Sequence, residues 1–123
     1  MRKWNETIKP WPALKTRYPY RTRVSQIEKV NVPKTIVVTL EHLDNGQEGR
    51  QEKVVLPRPI KCHGLAAQFF TACGMTIIPN ATIAPQDAVG QIILTQFEKN
   101  LQSNHWHAVS FTAAHQEDNH VSQ

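Results

Sequence analysis

Residues 35–43, TIVVTLEHL, decide the fold. Ile36, Val38 and Leu40 alternate with Thr35, Val37, Thr39 and Glu41, a period of two that suits an extended strand with one face on a core. Downstream, Asp44-Asn45-Gly46 starts a turn, because Asn and Gly tolerate positive φ, and Gly49 adds a second flexible point. Residues 50–56, RQEKVVL, return with Val54 and Leu56 inward, so the two strands form a hairpin with a loop of about six residues. Upstream, residues 21–32, RTRVSQIEKVNV, mix β-branched residues with charges and form the first strand, joined to the second through Pro33-Lys34.

Pro57-Arg58-Pro59 ends this meander. In residues 64–73, GLAAQFFTAC, the apolar Leu65, Phe69, Ala72 and Cys73 recur at i, i+4, i+7 and i+8, which predicts a short amphipathic helix. Gly74 is placed to stop it as a left-handed C′ residue. Residues 75–87, MTIIPNATIAPQD, read as a connector and residues 88–98, AVGQIILTQFE, as a fourth strand in which Gly90 marks a bend or a close backbone approach. After a polar loop at 99–104, residues 105–113, HWHAVSFTA, read as a fifth strand. Strict alternation there turns Val109, Phe111 and Ala113 one way and Trp106, Ser110 and Thr112 the other. Phe69 and Phe111 are expected in the core. The order β-β-β-α-β-β gives a mainly β protein and matches the OB-fold, a partly open five-stranded barrel. The chain divides into an irregular arm at 1–20, the barrel at 21–113 and a polar tail at 114–123.

The runs GQEGRQEKVVL, GLAAQFFTACG, DAVGQIILTQF and HWHAVSF together resemble a family found among phage-type recombination genes. Its members are described as domains of unknown function to which single-strand DNA binding is ascribed. The shared features are a Gly-Arg entering the third strand, a helix ending in ACG, a Gly-containing fourth strand and an aromatic fifth strand. The resemblance covers roughly residues 35–113. It implies an OB-type barrel and a nucleic-acid role, DNA rather than RNA, and it carries no catalytic residues across. The arm lies outside it.

Charge points the same way. The first 23 residues hold seven Lys or Arg against one acid, Glu6, whereas residues 24–123 hold seven Lys or Arg against nine acids. The same stretch carries Trp4, Trp11, Tyr18 and Tyr20, spaced by Pro10, Pro12 and Pro19. Cations neutralise phosphates and aromatic rings stack on unpaired bases, so the pattern suits a single-strand binder with little sequence preference. The expected contact set from the arm and first strand is Trp11, Arg17, Tyr18, Tyr20, Arg21 and Arg23. OB-folds bind across strands 2 and 3, between the first–second and fourth–fifth loops. That surface adds Lys34, Lys53, Lys99 and Trp106, with Arg58 and Lys61 if the helix-entry loop folds nearby. The same arm also suits a different class of protein, an accessory subunit docking on a larger nucleoprotein complex or on its own copy, with Trp and Tyr as anchors in a partner's pockets.

Catalysis finds no support. The sequence lacks a P-loop, a dinucleotide fingerprint, a nucleophile elbow and a zinc-protease motif. Cys62 and His63 are neighbours in sequence and so point apart, and Cys62 reads as a small apolar filler. His105 and His107, two apart on a strand, form at most half a zinc site and read as a surface pair beside Trp106. His42 reads as a loop-facing polar residue, and Glu48 and Glu52 as solubilising charges. No cofactor, metal or disulfide is expected. No apolar run approaches the roughly 20 residues that span a bilayer, and the N-terminus has no apolar signal region, so a cytoplasmic location is expected.

Overall fold

The computed structural model describes residues 3–114. The polar tail of the sequence reading therefore lies almost wholly outside the described residues. Five strands follow in order: β1 at Tyr20–Val30, β2 at Thr35–His42, β3 at Gln51–Pro57, β4 at Ile92–Lys99 and β5 at Trp106–Ala113. One helix, α1 at Leu65–Ala72, lies between β3 and β4. All neighbouring strands are antiparallel and form one open sheet in the order β3-β2-β1-β4-β5. Three strands meander, and the fourth returns beside the first, which is a Greek key with β5 added outside β4.

The alternation read in residues 35–43 survives intact. Ile36, Val38 and Leu40 are buried, and β3 supplies Val54 and Leu56 opposite Val38 and Ile36. The helix ends as expected. Gly74 takes φ +94°, its N–H donates to the Thr71 carbonyl, and the Met75 N–H reaches back to Phe70. These two bonds satisfy the Thr71 and Phe70 carbonyls, two of those left free at the helix end. Phe69 and Phe111 are both core residues, their rings 5.3 Å apart edge to face, which fixes α1 against β5. The helix also touches β3, so it spans the gap between the two edges of the sheet.

Two irregularities shape the sheet. Val24 pairs with Leu40 and Gln26 with Thr39, leaving Ser25 as an extra residue whose hydroxyl donates to the Thr39 carbonyl. The buried positions on β1 shift accordingly, from Tyr20, Thr22 and Val24 to Ile27. The pairing with β4 covers only Tyr20–Arg23, ahead of this bulge. On β5, Ser110 pairs with Gln96 and Ala108 with Phe97, so Val109 is the extra residue. A bulge reverses the facing of everything beyond it. Trp106 and Ala108 therefore turn toward the core, which corrects the expectation that Trp106 projects away from it. The fourth strand also starts later than the sequence suggested. Pro85–Ala88 forms a 3-10 turn, and Gly90, at φ +94°, donates to the Val24 carbonyl just before β4 begins.

Candidate nucleic-acid interface

The arm is pinned along its second half. Leu14 enters the core. The Pro12 carbonyl accepts from Gln47 at 2.7 Å and from Arg50 at 3.3 Å, both on the β2–β3 connection. The Lys15 N–H donates to the Tyr20 hydroxyl at 2.7 Å, and the Arg17 N–H donates to the Phe97 carbonyl of β4. Trp11 Nε1 leans toward the Glu48 carbonyl at 3.4 Å. Residues 3–10 make no such bonds among the described residues. A polar chain without core partners would leave this region free; Leu14 and Tyr20 are the partners that hold 11–19 down.

Tyr20 itself is a correction. It was expected to stack on a base, yet it is only 6% exposed. Its ring meets Tyr18 at 4.8 Å, His42 at 5.5 Å and Phe97 at 6.3 Å. His42, expected to face the loop from its strand end, is fully buried on the same β2 face as Leu40. Its Nε2 lies 3.3 Å from a carboxylate oxygen of Glu52, which is ion-paired to Arg50 at 2.8 Å. Glu52 is thus a half-buried partner and no surface charge. The imidazole nitrogens make no well-aligned hydrogen bond, so the ring is held by packing between Tyr20 and Phe97.

The remaining expected residues fall into separate groups. At the Tyr20 end of β1, Trp11 and Tyr18 are 51% and 48% exposed, beside Lys15, Arg17 and Arg21, while Lys99 ends β4 opposite Trp106. The Lys15 ammonium stands 5.9 Å over the Tyr18 ring. Arg17 is ion-paired with Glu98, and the Arg21 N–H donates to Asp44. A small cleft of about 230 Å³ lies under Tyr18, walled by Pro12, Lys15, Tyr20 and the 44–47 turn. At the other end of β1, beyond Val30, stand Lys34 and Arg58. Eleven residues of extended chain separate the two groups by roughly 30 Å. Lys61 is exposed on the segment leading to α1.

The outer face of β1, β2 and β3 between these ends is no stacking platform. It presents Gln26, Glu28, Val37, Lys53 and Val55, with Arg23 paired to Glu41 at 3.6 Å. Charges of both signs alternate there and no aromatic ring is present. Thr39 is buried rather than available. Trp106 is half-buried against the core, between the exposed His105 and His107.

Among the described residues no three His, Cys, Asp or Glu side chains gather as metal ligands. Cys62 is exposed, against the expectation of an apolar filler, and Cys73 is buried; both are free thiols. Burial pushes the Cys73 thiol up to about 12, which keeps it protonated and inert. Among the described residues, no helix is long and apolar enough to cross a membrane. No protein-family model, curated protein or solved structure matches the chain.

Proposed function

We propose that the chain is a non-catalytic, OB-like single-strand nucleic-acid binder, with DNA as the preferred strand, working from the Tyr20 end of its sheet. The observation that carries this reading is the pairing of exposed rings with cations on and beside the arm: Trp4, Trp11 and Tyr18 stand among Lys3, Lys9, Lys15, Arg17 and Arg21. Rings offer stacking faces to any base, and cations follow the phosphates, so neither selects a sequence. The β3-β2-β1-β4-β5 order supports the fold assignment, since it is the strand order that an OB-type Greek-key barrel has when opened between β3 and β5. Docking of residues 11–19 presents Trp11 and Tyr18 on a fixed surface, which lowers the ordering cost of binding. Residues 3–10 then add a basic, aromatic extension along the strand.

Fluorescence anisotropy with labelled poly-dT at two salt concentrations tests this. If about four phosphates are neutralised, log K falls with log salt at a slope of roughly −3, because a single strand releases about 0.7 counterion per contact. Trp11→Ala and Tyr18→Ala should each cost about 1–3 kcal/mol of binding. Arg21→Ala should flatten the salt slope instead. No shift at micromolar protein and low salt would remove this reading. The accessory-subunit reading would then lead. It is favoured by the 85% exposure of Trp4 and 90% exposure of Ile8, large apolar side chains ready for a partner's pockets.

A further inference from the structure

A roomy cavity lies away from the arm, where the β1–β2 hairpin outruns the core. It holds about 730 Å³ and is lined by Ile27, Lys29, Lys34, Ile36, Arg58, Pro59, Ile60, Pro85 and Gln86. Its construction follows from the strand register. Ile27 and Ile36 are the last core residues on the inner face of the hairpin, and Lys29 and Lys34 are the next positions on that face. Pro59 and Ile60, leaving β3, and the 3-10 turn at Pro85–Ala88 form the opposite wall. Gln86 holds that turn in place by donating to the Ile27 carbonyl at 2.7 Å.

The polar groups gather at one end. Arg58 is fixed at the hairpin tip: its Nη2 donates to the Val30 carbonyl at 2.7 Å and to Asn31 Oδ1 at 3.1 Å, and its N–H donates to Lys34. Its Nε finds no acceptor in the protein. Lys29, Lys34 and Arg58 thus supply three cations, and no carboxylate lines the cavity or forms an ion pair with them among the described residues. Glu28 lies on the other face of β1 by alternation. The deeper wall is aliphatic and proline only. It has no ring on which a nucleobase would stack, and its volume falls within the ~300–1,000 Å³ typical of small-ligand sites.

We propose that this cleft is a binding site for an amphipathic organic anion, a ligand with an aliphatic body and a single carboxylate or phosphate head. The body replaces water against Ile27, Ile36, Ile60, Pro59 and Pro85, and the head sits between Lys29, Lys34 and Arg58. The site is independent of the nucleic-acid surface, which lies at the other end of β1. A free acyl acid and a peptide ending in apolar residues with a free C-terminus share this chemistry.

The test uses the whole chain, with anilinonaphthalene sulfonate as a fluorescent apolar anion and competitors added to it. The fluorophore should bind one per chain. Decanoate should displace it, and decanol should do so about tenfold less well, since it lacks the charge. A short Ala-Leu-Leu peptide with a free C-terminus, compared with its amide, separates the two sources. Displacement by the free peptide alone indicates a peptide end, and displacement by decanoate indicates a free acid; either supports the site. The double variant Lys29→Glu/Lys34→Glu changes only exposed side chains and should weaken decanoate about tenfold or more without moving the melting temperature. Lys53→Glu and Lys61→Glu, outside the cleft, should leave it unchanged. Displacement by decanol as strong as that by decanoate, undiminished binding of the displacing anion in the double variant, or no displacement by any anion would each overturn the proposal.

Discussion

Replacing Tyr20 separates a core role from a contact role more cleanly than any other change. The side chain is buried between Tyr18, His42 and Phe97, and its hydroxyl is the acceptor for the Lys15 N–H. Tyr20→Ala removes the ring from a packed site that β1 and β4 hold on both sides, since Tyr20 pairs with Thr95. A buried aromatic lost in this way costs about 3–5 kcal/mol, a large share of the ~5–15 kcal/mol that holds a domain together. Tyr20→Phe keeps the ring and loses one hydrogen bond, for about 0.5–1.5 kcal/mol, with a further penalty if the Lys15 N–H is left without water. Urea denaturation followed by tryptophan fluorescence measures both, with the midpoint shift read at constant slope. Binding of poly-dT, measured on the folded fraction of Tyr20→Phe, should be unchanged. A Tyr20→Ala cost below about 1 kcal/mol, or a Tyr20→Phe variant with intact stability and weakened DNA binding, would refute the core assignment and return Tyr20 to the contact surface.

Three further outcomes follow from the same structure. Leu14→Ala should cost about 2–5 kcal/mol, and removal of residues 1–10 should leave the melting temperature nearly unchanged, because only the second half of the arm is anchored in the core; differential scanning calorimetry of the two variants checks this. Under native conditions one thiol, Cys62, should react with an aromatic disulfide reagent, and the second, Cys73, only after unfolding. Since burial raises the Cys73 thiol from its ordinary value of 9.0 to about 12, the unfolded chain ionises first, and this contribution to stability, complete below pH 9.0, is lost as pH rises toward 12; alkaline denaturation of Cys73→Ala should show a shallower decline.

The sequence was most readable where a strand is flanked on both sides. β2 lies between β1 and β3, so its inner face must be apolar at every second position, and TIVVTLEHL shows that directly. The same alternation puts His42 on the face of Ile36, Val38 and Leu40; only the habit of turning a polar residue outward makes it face the loop. Tyr20 carried a similar signal, since Tyr20, Thr22 and Val24 share one face of β1. The bulges at Ser25 and Val109 had no such trace. Neither position is a Gly, and a bulge depends on the partner strand's register, which a single segment does not reveal. That is why Trp106 was assigned to the wrong face. Two cations of the cleft, Lys34 and Arg58, were legible as basic residues, but their meeting with Lys29 depends on the cross-strand register and on the path of the chain after β3.

The placement of charge along β1 gives these elements a common logic. A sheet whose core is apolar and whose outer face alternates signs can hold cations in excess only at its ends. At the Tyr20 end they accompany exposed rings and a projecting arm; at the Val30 end they rim an aliphatic cavity. The chemistry differs because the neighbours differ: rings and a groove open to solvent favour stacked bases and a run of phosphates, whereas isoleucine and proline walls favour a compact apolar body with one anionic head. About 30 Å of strand exceeds the ~8–10 Å screening length at physiological salt several-fold. Charge reversal at one end therefore leaves the potential at the other almost untouched, and the two proposed binding functions should separate by mutation: Lys29→Glu/Lys34→Glu should spare poly-dT, and Trp11→Ala/Tyr18→Ala should spare decanoate. A single variant that removed both without unfolding the chain would mean that one ligand spans the sheet from end to end.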